Sequence, residues 1–421
     1  MSTEQRTTQG PAAGPGAPPD LNVGKYSFQV VQHHLDQAAY LSMIANPDQG
    51  RSNTRTLTDG GNCIGIETTT ILHRFDVIAQ VPTAEKGLTA VNRVGQPGGT
   101  LTSRWLMIPD DYQALPGQQP PPTRLDPSRS QRFVMLDECF KFGNDGFYGF
   151  GAGRTFPVNW RGHSQLLAGG IGNVMRGFGK FDGLIGTYTL NGCFLEGQGY
   201  RGSITVRVFD PDRKLRQGRP LPSFTPISDI EPDVTYIIWR GQKKDPTQKS
   251  SLIIGPDGQP QGLRTPAELR SLHLDFAARK QSGLRTVMRI GEVIGKLDAA
   301  ILFNPLNPGA PGTATQPIPF QTRNKYEFTD REGRTVGTVE GFVSEGRVFN
   351  VALQGLPGQP AIRFGGYGLL EGGTGTFSGI EGTLAVNSSV GISPHALSLL
   401  QWLRVYDPDG KYRARTGGDR Y

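Results

Sequence analysis

The chain has 421 residues and a net charge of +7, and 36% of its residues are hydrophobic. This apolar content excludes a wholly disordered chain, and the 58 glycines and 32 prolines favour short strands joined by many turns. Lys and Arg are interleaved with Asp and Glu, so no nucleic-acid partner is expected. No run approaches the roughly 18 apolar residues of a membrane-spanning helix.

The three cysteines are Cys63, Cys139 and Cys193, an odd number without paired spacing. They indicate neither a disulfide framework nor a cysteine-based zinc site, and they favour a reducing, cytoplasmic location. Residues 1–21 lack the basic and apolar regions of a secretion signal and are predicted to form a disordered tail.

Alternation and β-branched residues predict that most of the chain is strand. In chain order the predicted strands are 26–31, 68–81, 132–142, 186–194, 203–209, 235–240, 285–303, 326–328, 335–343, 347–353 and 400–406. A helix is predicted at 265–281, where Pro266 suits a first helical position and Leu269, Leu272 and Phe276 give an apolar side. A weaker helix is predicted at 35–45.

Three sequence blocks recur in the same order. Residues 206–216 resemble 403–413, residues 179–187 resemble 375–383, and residues 153–158 resemble 346–351, at offsets between 193 and 197. A period this long indicates a duplicated domain and not a stacked array. The pattern predicts two domains at 22–216 and 232–415, each an antiparallel barrel or sandwich, with a Pro-rich linker at 217–231 and a tail at 416–421. Pro-rich loops at 114–130 and 304–319 interrupt the two halves at corresponding places.

Turn-forming residues close each half. Asp210-Pro211-Asp212 and Asp407-Pro408-Asp409 follow a predicted strand, and their aspartates are expected to cap turns. The glycines 179, 183 and 186 match 375, 379 and 382, and their spacing is expected to shape tightly bent strands more than to contact a ligand.

The pattern Gly-x-Phe-x-Gly-x-x-Gly-Thr at 179–187 and 375–383, followed by a closing strand that ends in Phe-Asp or Tyr-Asp, resembles the allene oxide cyclase and dirigent barrel superfamily. The resemblance covers about residues 133–209 and 326–406. It implies an eight-stranded antiparallel barrel with an apolar cavity, which folds a reactive hydrophobic molecule without a metal or an organic cofactor. The expected fold is therefore all-β: two tandem antiparallel barrels of this type from an internal duplication, with one or two short helices.

No Ser-His-Asp order, phosphate loop or metal-ligand spacing is evident, so neither a metal nor a cofactor is expected. Asp137 and Glu138 lie in an apolar run, so one of them should face inward on a strand. That acid is either a buried general acid with a raised pKa or an edge residue that faces water.

Differences between the two halves guide the choice of site. Tyr188 corresponds to Leu384, so only the first half offers a phenol there. Each copy has an arginine at one equivalent position, Arg154 in the first and Arg347 in the second. An arginine common to both copies favours a structural pairing with a carboxylate such as Glu138 or Glu340. Aromatic packing in the core is an alternative explanation for the aromatic residues of the first half.

These features predict a cofactor-independent cyclase or isomerase that acts on a polyketide, terpenoid or lipid-like molecule. The alternatives are a non-catalytic carrier of an apolar ligand and a structural or assembly protein. The candidate catalytic residues are Glu138, Tyr148, Tyr188 and Arg154. The candidate substrate-binding residues are Phe142, Phe150, Phe156, Trp160 and Phe194. The sequence leaves homodimer formation open.

Overall fold

The computed structural model describes residues 38–45, 53–112, 116–117, 119–195, 199–215, 225–226, 231, 233–242, 250–279, 283–303, 318–352, 360–390 and 397–414. Within these ranges the chain is almost entirely antiparallel strand, and the helical element is a single 3-10 turn, Gly179–Phe181. The predicted all-β class is thus confirmed. None of the helical structure in these ranges is long and apolar enough to cross a bilayer. The predicted strand at 26–31, both tails and most of the predicted linker lie outside the described residues.

The first half forms a closed ring of eight antiparallel strands. This half contains nine strands, of which all but β2 form the ring: β1 (Ala38–Ala45), β2 (Asn53–Asp59), β3 (Asn62–Ala79), β4 (Ala90–Ile108), β5 (Gln131–Phe142), β6 (Asp145–Trp160), β7 (His163–Phe178), β8 (Ile185–Leu195) and β9 (Gly199–Phe209). From β3 to β9 each strand pairs with the next, and β1 closes the ring by pairing with both β9 and β3. The short β2 pairs farther along β3.

The second half repeats this connection order. After the two-residue β10 (Thr225–Pro226) come β11 (Val234–Gln242), β12 (Ser251–Ile254), β13 (Pro260–Arg279), β14 (Gly283–Phe303), β15 (Ile318–Thr329), β16 (Thr335–Ala352), β17 (Pro360–Gly375), β18 (Gly382–Val390) and β19 (Leu397–Tyr406). Here β11 closes the ring by pairing with β19 and β13, and β12 takes the place of β2. Both rings are antiparallel barrels.

Both helix predictions are wrong. Residues 265–279 lie within β13, where register shifts between Leu269 and Leu272 change the face to which the apolar side chains point. That change interrupts the two-residue alternation of apolar side chains, so the spacing of apolar residues in the sequence resembles that of a helix. Residues 38–45 form β1, whose eight residues are all buried because one face lines the first barrel and the other faces the second. A strand buried on both faces shows no alternation and resembles a buried helix in sequence.

The other predicted strands within the described ranges lie on observed strands, and the segments at 335–343 and 347–353 are one strand, β16. The Gly-rich strands β6, β7 and β17 were not predicted. The loop at 114–130 connects β4 to β5, and most of the loop predicted at 304–319 lies outside the described residues.

The predicted turns form in the same way in both halves. The Leu215 amide donates to Asp210 Oδ2 at 2.8 Å, and the Tyr412 amide donates to Asp407 Oδ2 at 3.0 Å. Gly179 and Gly375 both have φ of +61°, a conformation that side chains disfavour.

The described residues form three main hydrophobic cores. One lies inside each barrel, and a third lies between the barrels and contains residues of both halves. Between the barrels, β3 and β13 pair directly at Val77 and Leu274. Side-chain hydrogen bonds there are reciprocal: Thr187 Oγ1 donates to Asn387 Oδ1 at 2.7 Å, and Asn191 Nδ2 donates to the Trp402 carbonyl at 3.1 Å. The two barrels thus pack on each other through a core to which both contribute.

Candidate functional site

A β-bulge in β5 points Glu138 into the first barrel. Met135 pairs with Gly151 and Glu138 pairs with Gly149. Two residues of β5, Leu136 and Asp137, therefore lie opposite a single residue of β6. One of these, Asp137, has φ of +53°, and its side chain is 72% exposed. The bulge moves the inward positions by one residue. Of the two acids in this apolar run, Glu138 is therefore the inward one.

The carboxyl group of Glu138 is fully buried among apolar side chains. Ser103 Oγ donates to its Oε1 at 3.3 Å, and Trp105 Nε1 donates to Ser103 Oγ at 2.6 Å. Its other oxygen, Oε2, has no hydrogen-bond partner among the described residues. Burial raises the pKa of Glu138 to about 8, against the smaller lowering effect of the Ser103 hydrogen bond. At neutral pH the group is mostly protonated and can donate a hydrogen bond.

Tyr188 of β8 faces the same interior. Its ring centroid lies 5.0 Å from that of Phe140 and 5.9 Å from that of Phe147, and its hydroxyl has no partner within the described part of the chain. Gly149, the cross-strand partner of Glu138, gives this ring its space, because a Cβ built there would lie 2.8 Å from the Tyr188 hydroxyl. Gly149 therefore adjoins both polar groups.

The other candidate residues separate into three locations. Phe142 and Phe194 belong to the interior of the first barrel, where Phe194 is half-buried and packs edge-to-face on Trp105 with centroids 5.2 Å apart. Phe156 and Trp160 lie between the barrels. Tyr148 is 49% exposed, and Phe150 packs against a cluster separate from the three main cores. The structure thus brings Glu138, Tyr188, Phe142 and Phe194 into one interior, and places Tyr148 and Phe150 elsewhere.

Arg154 lies at the junction of the barrels and contacts neither Glu138 nor Glu340. Its Nη2 lies 2.9 Å from Asp110 Oδ1, and its Nε lies 3.9 Å from Glu345 Oε2. The matching Arg347 donates to Glu345 Oε1 at 2.9 Å. Glu345 therefore serves both arginines, which agrees with the structural alternative for this pair.

The second barrel has neither an acid nor a phenol at the positions equivalent to Glu138 and Tyr188. Strand register places Asn324 opposite Gly341 as Glu138 is opposite Gly149, and it pairs Leu384 with Gly368 as Tyr188 pairs with Gly172. A cavity of about 10 Å³, roughly one water molecule, adjoins Asn324, Thr322 and Gln401. Ligand pockets are usually some 300–1,000 Å³, so an organic ligand requires movement of interior side chains.

Sequence reasoning missed Ser103 and Trp105. Both belong to the alternating inward series of β4 that includes Leu101 and Met107, and a serine in such a series is the signal that would have identified Ser103. Among the described residues, no group of three or more His, Cys, Asp or Glu side chains is arranged to hold a metal ion.

No family model and no curated protein matches the chain. Among solved structures, a pterocarpan synthase dirigent protein is 11% identical, with 44% of this chain and 88% of that chain covered and a TM-score of 0.23. A protein of unknown function of the DUF3598 family from Nostoc punctiforme is 13% identical, with 79% of this chain and 94% of that chain covered and a TM-score of 0.13. TM-scores this low do not establish a common fold.

Proposed function

We propose that the first barrel binds a hydrophobic small molecule and acts on it as a cofactor-independent cyclase or isomerase. The supporting observation is the buried Glu138, whose raised pKa keeps it mostly protonated at neutral pH, in the same barrel interior as Tyr188. Neither Glu138 Oε2 nor the Tyr188 hydroxyl has a hydrogen-bond partner among the described residues. Buried polar groups are normally paired, so an unpaired one calls for an explanation, and strongly shifted pKa values concentrate at functional sites. Two donors in an apolar interior suit a ligand with one acceptor oxygen.

The chemistry needs only these groups and the apolar walls. Glu138 donates to a carbonyl or epoxide oxygen of the substrate, and Tyr188 gives a second hydrogen bond as negative charge develops there. A well-placed donor of this kind lowers the activation free energy by about 2.7–4 kcal/mol. Holding a flexible chain in its folded shape contributes up to about 7–11 kcal/mol in the best intramolecular systems. Polyketide, terpenoid and lipid-like substrates all meet these requirements.

Entry of the ligand requires the interior to open. Phe194 is only partly buried, whereas its neighbours Trp105 and Tyr200 are fully buried. In this proposal Phe194 moves aside to admit the ligand, and Phe142 contributes to the apolar wall. The fully buried Ser103 holds the Glu138 carboxyl group in place through its hydrogen bond to Oε1.

The experiment is native mass spectrometry of the protein purified from its producing cells, followed by extraction of any retained molecule under denaturing conditions. We expect one apolar ligand per chain. With that compound class in hand, Glu138→Gln and Tyr188→Phe should lower turnover at least tenfold while ligand retention persists. The matched control is Tyr326→Phe, which alters a buried tyrosine of the second barrel and should leave both unchanged. Equal loss of retention and turnover would contradict the catalytic roles.

A structural role is the second candidate, and it is favoured by the buried apolar side chains that occupy the first barrel and by a cavity of only about 10 Å³ in the second. In that case the paired barrels only make contacts with other molecules, and no ligand is retained. A hydrophobic fluorescent probe separates the two proposals, because it should bind the folded protein only if the interior can open. A retained ligand that the wild-type protein and both variants bind, and that the wild-type protein does not convert, would indicate a carrier.

We also propose that the two barrels derive from one duplicated unit, with domains at 22–216 and 232–415. The matching connection order of the two rings supports this. Expression of each segment alone tests the boundaries. Because the shared core between the barrels would be exposed, we expect each segment to fold only when the two are co-expressed.

A further inference from the structure

A row of hydroxyl groups runs across the first barrel towards Glu138. Thr54 of β2 and Thr68 of β3 are cross-strand partners, and their Oγ1 atoms lie 2.9 Å apart. Thr68 is 2% exposed, whereas Thr54 is half-buried. On its other side Thr68 pairs with Ser103 of β4, so the three side chains lie on the same, inward face of the sheet. The row therefore begins where water has access and continues into the interior.

The inner end of the row is hydrogen-bonded to the buried acid. Ser103 Oγ donates to Glu138 Oε1 at 3.3 Å and accepts from Trp105 Nε1 at 2.6 Å. A hydroxyl group has one donor and two acceptor sites, so Ser103 keeps one acceptor site for a further donor. Directly opposite residues of an antiparallel pair have Cβ atoms about 4.5–5.5 Å apart, and rotation about χ1 brings hydroxyl oxygens on such atoms within hydrogen-bond distance. Thr68 is thus placed to donate to Ser103.

The hydrogen bonds of Thr68 are compatible with this direction. Besides Thr54, it contacts Thr70, whose Oγ1 lies 3.1 Å from Thr68 Oγ1 and which is 1% exposed. Thr68 can accept from both of these hydroxyls and still use its own proton as a donor. The donor directions therefore lead from the surface to the carboxyl group.

The second barrel keeps only the outer hydroxyls of this row. Ser250 Oγ lies 2.5 Å from Thr265 Oγ1, in the positions of the outer pair of the first barrel. The cross-strand partner of Thr265 is Ala299, and Ala267 follows two residues later on β13. These alanines take the places of the serine and the inner threonine of the first barrel. At these positions the inner hydroxyls thus accompany the buried acid and are absent from the barrel that lacks it.

We propose that Thr54, Thr68 and Ser103 form a proton path that connects Glu138 with water at the surface. When Glu138 gives the proton of Oε2 to a ligand oxygen, Oε1 takes the proton of Ser103. Ser103 then takes the proton of Thr68, Thr68 takes that of Thr54, and Thr54 takes one from water. Each hydroxyl loses one proton and gains one, so the net change is transfer of one proton from water to the carboxylate. The three residues act through Glu138, and their role in turnover rests on the proposed function.

The path meets a requirement of an acid in this position. Glu138 is 0% exposed, and burial disfavours its ionised form, so a lost proton has to be replaced. Its Oε2 has no hydrogen-bond partner among the described residues and is the oxygen that faces a ligand in the proposed function. Because the path reaches Oε1, Glu138 regains its proton without movement of a ligand at Oε2.

The test follows the ionisation of Glu138 by time-resolved infrared spectroscopy after a jump from pH 6 to pH 10, without any ligand. The C=O band of the protonated carboxyl group is assigned by its absence in Glu138→Gln. This band should disappear at least about tenfold faster in the wild-type protein than in Thr68→Val, because the methyl group that replaces the hydroxyl cannot pass on a proton. Thr69→Val is the matched control, since Thr69 is exposed on the outer face of the same strand, and it should retain the wild-type rate.

Two further variants separate a proton path from a change in packing. A looser barrel would admit water and speed up the ionisation, whereas an interrupted path slows it. Thr68→Ser keeps the hydroxyl and should retain the wild-type rate. Ser103→Ala introduces the residue of the second barrel and should slow the ionisation, which keeps the test decisive if Thr68→Val does not fold.

The outcomes also distinguish this proposal from the proposed function. A wild-type rate in Thr68→Val or Ser103→Ala would overturn the proton path and leave the role of Glu138 untouched, because the assay involves no ligand and no turnover. Absence of the carboxyl band at pH 6 would show that Glu138 is not protonated, and would overturn both.

Discussion

Replacement of Glu138 by glutamine should remove a large part of the pH dependence of stability. In the folded protein burial raises the pKa of Glu138 to about 8, whereas the unfolded carboxyl titrates near 4.5. Between these values the folded state keeps a proton that the unfolded state has lost, so the free energy of unfolding decreases as pH rises through this window. Below pH 4.5 both states are protonated, and above pH 8 both are ionised.

The difference between pKa values of 4.5 and about 8 lowers the free energy of unfolding by about 5 kcal/mol over the whole window, and by about 4 kcal/mol between pH 5 and pH 8.5. Glutamine has nearly the same shape, still accepts from Ser103 and does not titrate. Over this interval the free energy of unfolding of the variant should therefore fall by about 4 kcal/mol less than that of the wild-type protein.

Urea denaturation at several pH values measures the difference. Glu340→Gln is the control, because the Glu340 side chain is 53% exposed. Its Oε1 lies 3.6 Å from Lys325 Nζ in a surface ion pair that contributes little to stability. Parallel pH profiles for the wild-type protein and Glu138→Gln would refute the assignment of a protonated, buried acid.

Three further predictions concern the geometry around this site and between the barrels, and urea denaturation measures each of them. Asp137→Val should destabilise the protein by about 2 kcal/mol, since a β-branched residue disfavours φ of +53°, whereas Asp137→Gly should change stability by less than about 1 kcal/mol; equal effects would contradict a strained bulge. Gly172→Ala should cost about 2 kcal/mol because its Cβ would overlap the Tyr188 ring, and most of this cost should disappear in a Tyr188→Leu background. Asn191→Ala and Asn387→Ala should each cost about 2 kcal/mol by leaving buried partners unpaired, and values near zero would show that these hydrogen bonds do not stabilise the contact between the barrels.

Local patterns in the sequence were sufficient for the all-β class. The strand at 326–328 was predictable because alternate residues of β15 face an apolar core and those between them are more exposed, as side-chain direction reverses at every residue. Asp210 and Asp407 were identifiable as turn formers because their hydrogen bonds join residues only five positions apart. The strands β6, β7 and β17 were missed because glycine is normally depleted in strands.

Only the tertiary structure decided which side chains meet. The bulge at Asp137 selected Glu138 as the inward acid, and a one-residue difference there would have pointed it outward. Contact between the two barrels buried both faces of β1 and placed Phe156 and Trp160 between the barrels, away from the interior around Glu138. Arg154 and Glu345 are 191 positions apart in sequence, and only the packing of one barrel on the other brings them together. Short-range periodicity in the sequence determined the all-β class, part of the strands and the closing turns, whereas register and the contact between barrels depend on distant residues that no local pattern encodes.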